Sequence, residues 1–473
     1  MPPKYHIHTE PTAPRVRPVG KLGIVDWRED CASCHNCVKR DCIYDFYRSE
    51  ADTLRAETGY LDYIFQCKGC LNCVQNCTKG ILTRVLNPEF NRIGDAYYQP
   101  EIVLSTWYQA ETGRIPVSGA GYGGPFSGPG FDSMWTDMSE IVRPTRDGIH
   151  GREYISTSVD VGRKLPHLAF HDGRLTVSPP PLLECPLPLI FDLVPPRWQR
   201  GPVVAAVARA AVQIGTYAVI ASDAIPAGIS IDRDRVIPWA AAAVADPRLA
   251  AAALVMIPDG PDVVARQAAL KGENPEQIVA IRLPAMPHSA GRIVELVGQG
   301  AEVVHLVFDA HGRESVESAS NGNHAPPRHA RDVLRDVHRT LVKEGTRDLV
   351  TLVASGGIAQ PEHVTKALLC GADLVAIDIP LLIALECRLC GECDRGEICP
   401  IALEDVDPAY AVRRIVNLVG AWHQQLIEML GAMGIREVRR LRGETGRCMF
   451  FEDLERDTFG RLFGRRKTSE GVT

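Results

Sequence analysis

Residues 349–378 read LVTLVASGGIAQPEHVTKALLCGADLVAID. An apolar run, Leu349–Ala354, ends at Ser355–Gly356–Gly357; a helical pattern opens at Pro361, and a second apolar run, Leu374–Ile377, follows Gly371. Runs that are apolar on both faces suit a parallel sheet covered by helices. Proline fits a first helical turn because the amide it lacks would have no partner within the helix. The stretch thus predicts a strand, a tight turn, a helix over Pro361–Leu369 and another strand. The small residues of the turn would let backbone amides approach an oxyanion, with the helix amino terminus adding favourable dipole charge. An ordinary tight turn is the plainer reading of the same residues.

Outward from this unit the pattern repeats. Strands are predicted at Leu187–Leu193, Tyr217–Ala221, Ala252–Ile257, Ile278–Leu283 and Val303–Phe308, and helices at Pro202–Gln213, Asp262–Leu270, Ser289–Gly298 and Ala330–Lys343. Seven strands are clear, and an eighth, needed to close a barrel, falls on the weak Val236–Pro238 run. Recurrence without a reversal favours a (β/α)8 barrel (α/β class) over an open sheet. A barrel does its chemistry at the carboxyl ends of its strands. Those ends carry Asp192, Arg282, the DAHGR run Asp309–Arg313 and Ser355–Gly357.

At 473 residues the chain has room for two or three domains, and its formal charge of -6 offers no basic surplus for nucleic acid. The polar, proline-rich start reads as a flexible lead, not a secretory signal. The longest apolar run, Val364–Leu385, is interrupted by Asp373 and Asp378, so no transmembrane segment is expected. Twelve of the 15 cysteines fall in three tight groups, which suits metal thiolates in a reducing cytoplasm better than disulfides. Cys185, Cys370 and Cys448 remain as inert buried thiols.

The first group is Cys31, Cys34, Cys37 and Cys42; the second is Cys67, Cys70, Cys73 and Cys77. Cysteines at i, i+3 and i+6 let one short loop wrap a cubane, and in two-cluster ferredoxins the fourth cysteine of each run serves the other cluster. This assigns Cys31, Cys34, Cys37 and Cys77 to one [4Fe–4S] centre, and Cys67, Cys70, Cys73 and Cys42 to a second. A pair of zinc sites is the competing reading. The third group, ECRLCGECDRGEICPI (386–401), contains Cys387, Cys390, Cys393 and Cys399.

From Leu349 through Cys399–Pro400, the chain resembles the FMN-binding synthase domain of the glutamate synthase family, in its ferredoxin-fused, stand-alone form. The resemblance spans roughly residues 186–434 and is strongest after Val303. It implies a barrel with FMN at the strand carboxyl ends and an iron–sulfur cluster beside the flavin. Carried over by position, Ser355, Gly356 and Gly357 would hold the FMN phosphate, with Gly371 and Ala372 lining the next turn. Arg282 stands where the family has a lysine near the flavin ring; a structural ion pair is its plainer role. The family's third group has three cysteines and a [3Fe–4S] cluster. Cys390 adds a fourth thiolate here, which implies [4Fe–4S] unless it points away.

The chain departs from the family at FDAHGRESVESA, RLPAMPHSAG and FDLVPPR, where the substrate would be held. Arg282, His311 and Arg313 are the candidate catalytic residues. Neither an amidotransferase nor an NAD(P)H-binding domain is visible. The expectation is therefore an iron–sulfur flavoprotein oxidoreductase with a small-molecule acceptor. Its partners would be a ferredoxin or dehydrogenase subunit, and an amidotransferase or NAD(P)H-binding flavoprotein subunit. The alternative is a non-catalytic electron-transfer or scaffold subunit of a larger redox complex. The expected division is a lead (1–25), a ferredoxin-like two-cluster domain (26–85), a glycine- and proline-rich connector (86–186), the barrel with the third cysteine group (187–405) and a helical extension and tail (406–473).

Overall fold

The structure, a computed structural model, describes residues 5–16, 19, 22–27, 71–80, 82–86, 88–115, 130–136, 155–165, 169–231, 235–241, 248–315, 326–458 and 460–463. Cys31, Cys34, Cys37, Cys42, Cys67 and Cys70 lie outside the described residues. The chain forms two compact units. One comprises residues 1–12, 105–385 and 402–473; the other comprises 13–104 and 386–401.

The first unit is built on eight strands: β1 (Leu189–Phe191), β2 (Ala218–Ala221), β3 (Val236–Trp239), β4 (Leu254–Pro258), β5 (Ile278–Pro284), β6 (Val303–Val307), β7 (Thr351–Ser355) and β8 (Leu374–Ile377). They close into a barrel in which every neighbouring pair is parallel, including β8 with β1. All residues of β7 and β8 are buried, as their apolar sequences require. The weak eighth strand is β3. Its Pro238 brings no amide to a ladder and argues against a central strand. Closure nevertheless needs a strand there, and β3 pairs with β2 on one side and β4 on the other.

The surrounding helices are α1 (Pro202–Ile214), α2 (Val263–Glu273), α3 (Ser289–Gly298), α4 (Ala330–Lys343), α5 (Pro361–Leu369), α6 (Ile379–Ala384) and α7 (Pro408–Ala432). The amino end of α7 is capped by Asp407, whose carboxylate accepts the Tyr410 amide at 2.8 Å. Long and apolar on one stripe, α7 packs on α1 and α5. It also buries Arg414 completely; that guanidinium donates to the carbonyls of Ala384, Thr12 and Trp107.

Part of the expected connector is barrel floor. Strand Val159–Gly162 pairs antiparallel with Leu182–Cys185. Thr351, at the amino end of β7, accepts the Gly162 amide at 3.1 Å and donates to its carbonyl at 2.9 Å.

In the second unit Leu22–Trp27 pairs antiparallel with Leu82–Leu86. The sequence division put the third cysteine group with the barrel, whereas residues 386–401 cluster with this unit. Local bonds explain the grouping. Buried Glu386 accepts the amides of Arg15 and Val16 at 2.7 and 3.2 Å and pairs with the Arg15 guanidinium at 3.1 Å. The carbonyl of Arg388 accepts the Gly94 amide at 2.8 Å.

Candidate active site at the barrel mouth

Parallel strands carry their last residues to one end of the barrel. Asp192 follows β1, Trp239 ends β3, Arg282 and His305 lie side by side on β5 and β6, Ser355 ends β7 and Asp378 follows β8. Arg282 grips Asp192 with both arms of its guanidinium, at 2.5 and 3.1 Å. The same guanidinium lies 3.2 Å from His305 Nδ1 and 5.7 Å from the centre of the Trp239 ring. His305 Nε2 is 2.9 Å from Ser355 Oγ and 3.7 Å from Asp192.

Burial alone would raise the Asp192 carboxyl, but Arg282 and His305 beside it bring it down to about 2. Burial pushes His305 down to about 3, and Arg282 pushes it the same way against the pull of Asp192. The imidazole is therefore neutral near pH 7, which leaves the guanidinium as the charge that keeps Asp192 ionised. Asp378 goes the other way. Burial and the Asp192 charge lift it to about 6, despite the Ile379 amide donating to it. Two neighbouring carboxylates largely withdrawn from water cannot both ionise cheaply.

Gly356 and Gly357 both have positive φ, at 92° and 70°. A Cβ on Gly356 would stand 2.4 Å from the Asp309 carbonyl oxygen, and one on Gly357 would stand 2.4 Å from Gly312 Cα. The turn after β7 thus lies backbone to backbone against the turn after β6, and only glycine fits at either point. Gln360, the N-cap of α5, is 3 % exposed, and among the described residues neither its amide oxygen nor its nitrogen has a partner. A buried amide at a helix amino terminus, beside a double-glycine turn, can bond a polar ligand there. Behind the turn, His363 Nδ1 accepts the Ala359 amide at 3.2 Å and its Nε2 faces Asp132 at 3.2 Å. That pairing braces the turn from below.

The residues expected at the site separate into three places. Arg282 is at the mouth, held by Asp192 in an ion pair. Ser355 is also there, but its hydroxyl is engaged with His305 inside the barrel. His311 and Arg313 sit in the turn after β6, where the Asp309 carboxylate accepts both of their amides at 2.9 and 2.7 Å, the Gly312 carbonyl accepts the Ala330 amide at 2.7 Å and Arg313 bridges to His329. Arg313 is exposed, and the bonds that hold Arg282 run to other residues. Gly371 and Ala372 precede β8 and so lie at the opposite end of the barrel from Gly356 and Gly357. There the Gly371 carbonyl accepts the Arg347 guanidinium at 2.8 Å, and a Cβ on Gly371 would strike His338 at 2.4 Å. The turn that reaches the mouth is the one after β8, at Asp378. His305, Gln360 and Asp378 were missed. The one signal for His305 was a polar residue in the middle of VVHLV.

In the second unit, burial pushes the Cys387 thiol up to about 12, while the Leu389 amide donates to its sulfur and the charges of Cys390, Cys393 and Cys399 add a smaller upward push. Leu389 has the left-handed φ of 52°. The residues after the second cysteine in the second and third groups, Leu71 and Gly391, share a left-handed backbone at φ 59° and 69°. A helical turn carrying the third cysteine follows in both, at Asn72–Gln75 and Cys393–Arg395.

Comparison with known proteins bears on the barrel. A family model described as the conserved region in glutamate synthase matches residues 259–436. The barrel is a glutamate-synthase-like, FMN-binding oxidoreductase domain. The chain is 25 % identical to the archaeal glutamate synthase [NADPH] of Archaeoglobus fulgidus over 92 % of its own length and 96 % of that protein. It is 26 % identical to the archaeal-type glutamate synthase [NADPH] of Thermotoga maritima, over 87 % of this chain and 91 % of the relative. The archaeal glutamate synthase [NADPH] of Methanocaldococcus jannaschii is 34 % identical over 28 % of this chain and 29 % of its own. A solved mandelate oxidase with (S)-2-phenylpropionate aligns at a TM-score of 0.40 and 16 % identity, over 66 % of this chain and 86 % of that one. Among the described residues, no helix of this glutamate-synthase-like chain is long and apolar enough to cross a membrane.

Proposed function

We propose that the protein is an iron–sulfur flavoprotein oxidoreductase. Electrons would enter at ferredoxin-type clusters in the cysteine-rich unit and reach a flavin at the barrel mouth. The observation that supports the iron–sulfur part is the shared backbone of the Leu71–Gln75 and Gly391–Arg395 segments, each a left-handed residue followed by a helical turn that carries the third cysteine of its group. Cysteines wrapped by left-handed turns, with an amide donated to sulfur, are how a short loop holds a cubane. On this reading Cys387, Cys390, Cys393 and Cys399 hold a [4Fe–4S] centre. Two more fall to Cys31, Cys34, Cys37 and Cys77, and to Cys67, Cys70, Cys73 and Cys42.

The mouth fits the phosphate end of FMN. Gly356 and Gly357 keep the turn free of side chains, and the Gln360 amide would supply a donor at the α5 amino terminus. Bound FMN would exchange single electrons with clusters and electron pairs with an organic acceptor. The residues of the chain would do the rest: Arg282 and Trp239 orient what sits over the strand ends, and the buried Asp192–His305–Ser355 side excludes water. Asp378, with its carboxyl near 6, can hold or release a proton at its carboxylate oxygen. An imine, as in glutamate formation, suits this site as acceptor. Nitrogen would then come as ammonia or from an amidotransferase partner, and electrons from a ferredoxin or an NAD(P)H-oxidising subunit.

A second reading is a non-catalytic electron-transfer subunit. The turn at Asp309–Arg313 favours it, because the Asp309 carboxylate holds the His311 and Arg313 backbone while the bonds of Arg282 run to Asp192 and His305. The two separate on the spectrum of protein purified anaerobically. Flavin absorbance that bleaches with dithionite and returns with one class of small acceptor supports the enzyme. Iron and sulfide without flavin, and no uptake of added FMN, leaves the scaffold. Paramagnetic resonance of the oxidised protein tests the third centre, since a strong three-iron signal would exclude Cys390 as a ligand.

A further inference from the structure

The polar groups at the barrel mouth form a closed ring with a determined direction. Arg282 is donor only. The His305 Nδ1 that faces it at 3.2 Å must therefore be the bare, accepting nitrogen, which puts the imidazole proton on Nε2. That proton points to Ser355 Oγ at 2.9 Å. The hydroxyl has one proton of its own, and it goes to the Asp192 carboxylate, on which Arg282 closes the ring with two further bonds. His305 is fully buried, and the Asp192 and Arg282 side chains are 4 % and 15 % exposed.

We propose that Asp192 is a positioning residue that turns Arg282 from a free cation into an oriented donor without net charge, with His305 and Ser355 fixing both in place. The inference rests on the flavin reading above and deepens it. A free cation at this place would favour the anionic reduced flavin and would draw in an acceptor carboxylate by charge. A compensated, rigid pair does neither. It offers directional hydrogen bonds, discriminates by shape and donor geometry, and leaves the flavin a stronger reductant. Arg282, whose planar fork matches a carboxylate arm for arm, makes this possible where a lysine ammonium would offer a point charge.

The test uses the full chain with FMN bound and measures the two-electron midpoint potential of the flavin by dye-equilibrated titration. Asp192→Asn keeps the shape of the side chain and removes its charge; it is made together with Asp378→Asn and compared with Asp378→Asn alone, so that the neighbouring carboxylate cannot ionise in its place and Arg282 is uncompensated. The potential is expected to rise by at least about 30 mV, equivalent to a tenfold change in the two-electron equilibrium. The double variant Asp192→Asn with Arg282→Gln leaves no unpaired charge and guards against a single variant that fails to fold. In the same Asp378→Asn background its potential is expected to stay within about twofold in the two-electron equilibrium, about 10 mV, of that reference, because the native pair already sums to zero. A fall of about 30 mV or more in the double variant would mean that Arg282 acts as a free cation and would overturn the proposal. So would an unchanged potential when Asp192→Asn is added to the folded, flavin-loaded Asp378→Asn protein. If the wild type takes up no FMN, the flavin reading itself is what fails.

Discussion

Asp378→Asn should stabilise the protein above neutrality and do little in acid. Asp378 follows β8, half-buried and within reach of the Asp192 charge, and its carboxyl sits at about 6 because burial and that neighbouring charge oppose ionisation. In the unfolded chain the same group titrates near 3.9. Holding it ionised in the fold above pH 6 therefore costs about 3 kcal/mol, at 1.36 kcal/mol for each tenfold change. The sign follows from proton binding. Between about pH 4 and 6 the folded state holds more protons at this position than the unfolded state, so stability falls as pH rises through that window. Below pH 4 both states are protonated there and the cost is absent. Asparagine stays neutral throughout, and its side-chain oxygen can still accept the Ile379 amide. For a barrel of this size about 3 kcal/mol corresponds to roughly 6–12 °C in Tm. Differential scanning calorimetry of wild type and variant at pH 8 and pH 4.5 measures it. The gain should be present at pH 8 and largely gone at pH 4.5. An equal difference at both values, or a loss at pH 8, would refute the account of Asp378 as a carboxylate held against its preference.

Three further outcomes follow from the fold. Gly357→Ala needs a left-handed backbone and places its Cβ 2.4 Å from Gly312 Cα, so it should cost on the order of 2 kcal/mol or more and lower the flavin content of the purified protein; unaltered Tm and flavin would contradict the close approach. Arg414→Met leaves the carbonyls of Ala384, Thr12 and Trp107 without their donor, and at about 1–3 kcal/mol for each orphaned group the Tm of the barrel unit should drop sharply. Burial holds His305 and His329 down at about 3 and His338 at about 4, so each binds its proton more weakly in the fold than in the unfolded chain. Stability should thus fall as pH drops from about 6.5. With Asp378 working in the opposite direction, unfolding near pH 5 should take up about two protons from these four groups, read from the slope of stability against pH; a flat profile would disprove it.

Most of the barrel was legible in the sequence because its evidence is local. Apolar runs the length of one strand, proline at helix starts and glycine at turns are short-range signals, and they located seven of the eight strands. The eighth, β3, was faint because Pro238 breaks the strand pattern; its place comes from the closure of the other seven. The floor strand Val159–Gly162 was illegible because it takes its partners, Leu182–Cys185 and Thr351, from far along the chain. The same limit misplaced Gly371 and Ala372. They are close in sequence to Ser355–Gly357, but a strand-connecting helix lies between, and crossing it moves the chain from one end of the barrel to the other.

The sequence by itself determined the repeating strand–helix order, the double-glycine turn after β7 and the spacing of the three cysteine groups, all of them set by neighbours within a few residues. Tertiary structure alone decided what Arg282 does. Asp192 and His305 are 90 and 23 residues away from it in the chain, and they meet it only because parallel strands deliver their ends to one mouth. A guanidinium read alone is a cation; packed against a buried carboxylate it is half of a neutral pair, because charge in a dry interior must be compensated where it stands.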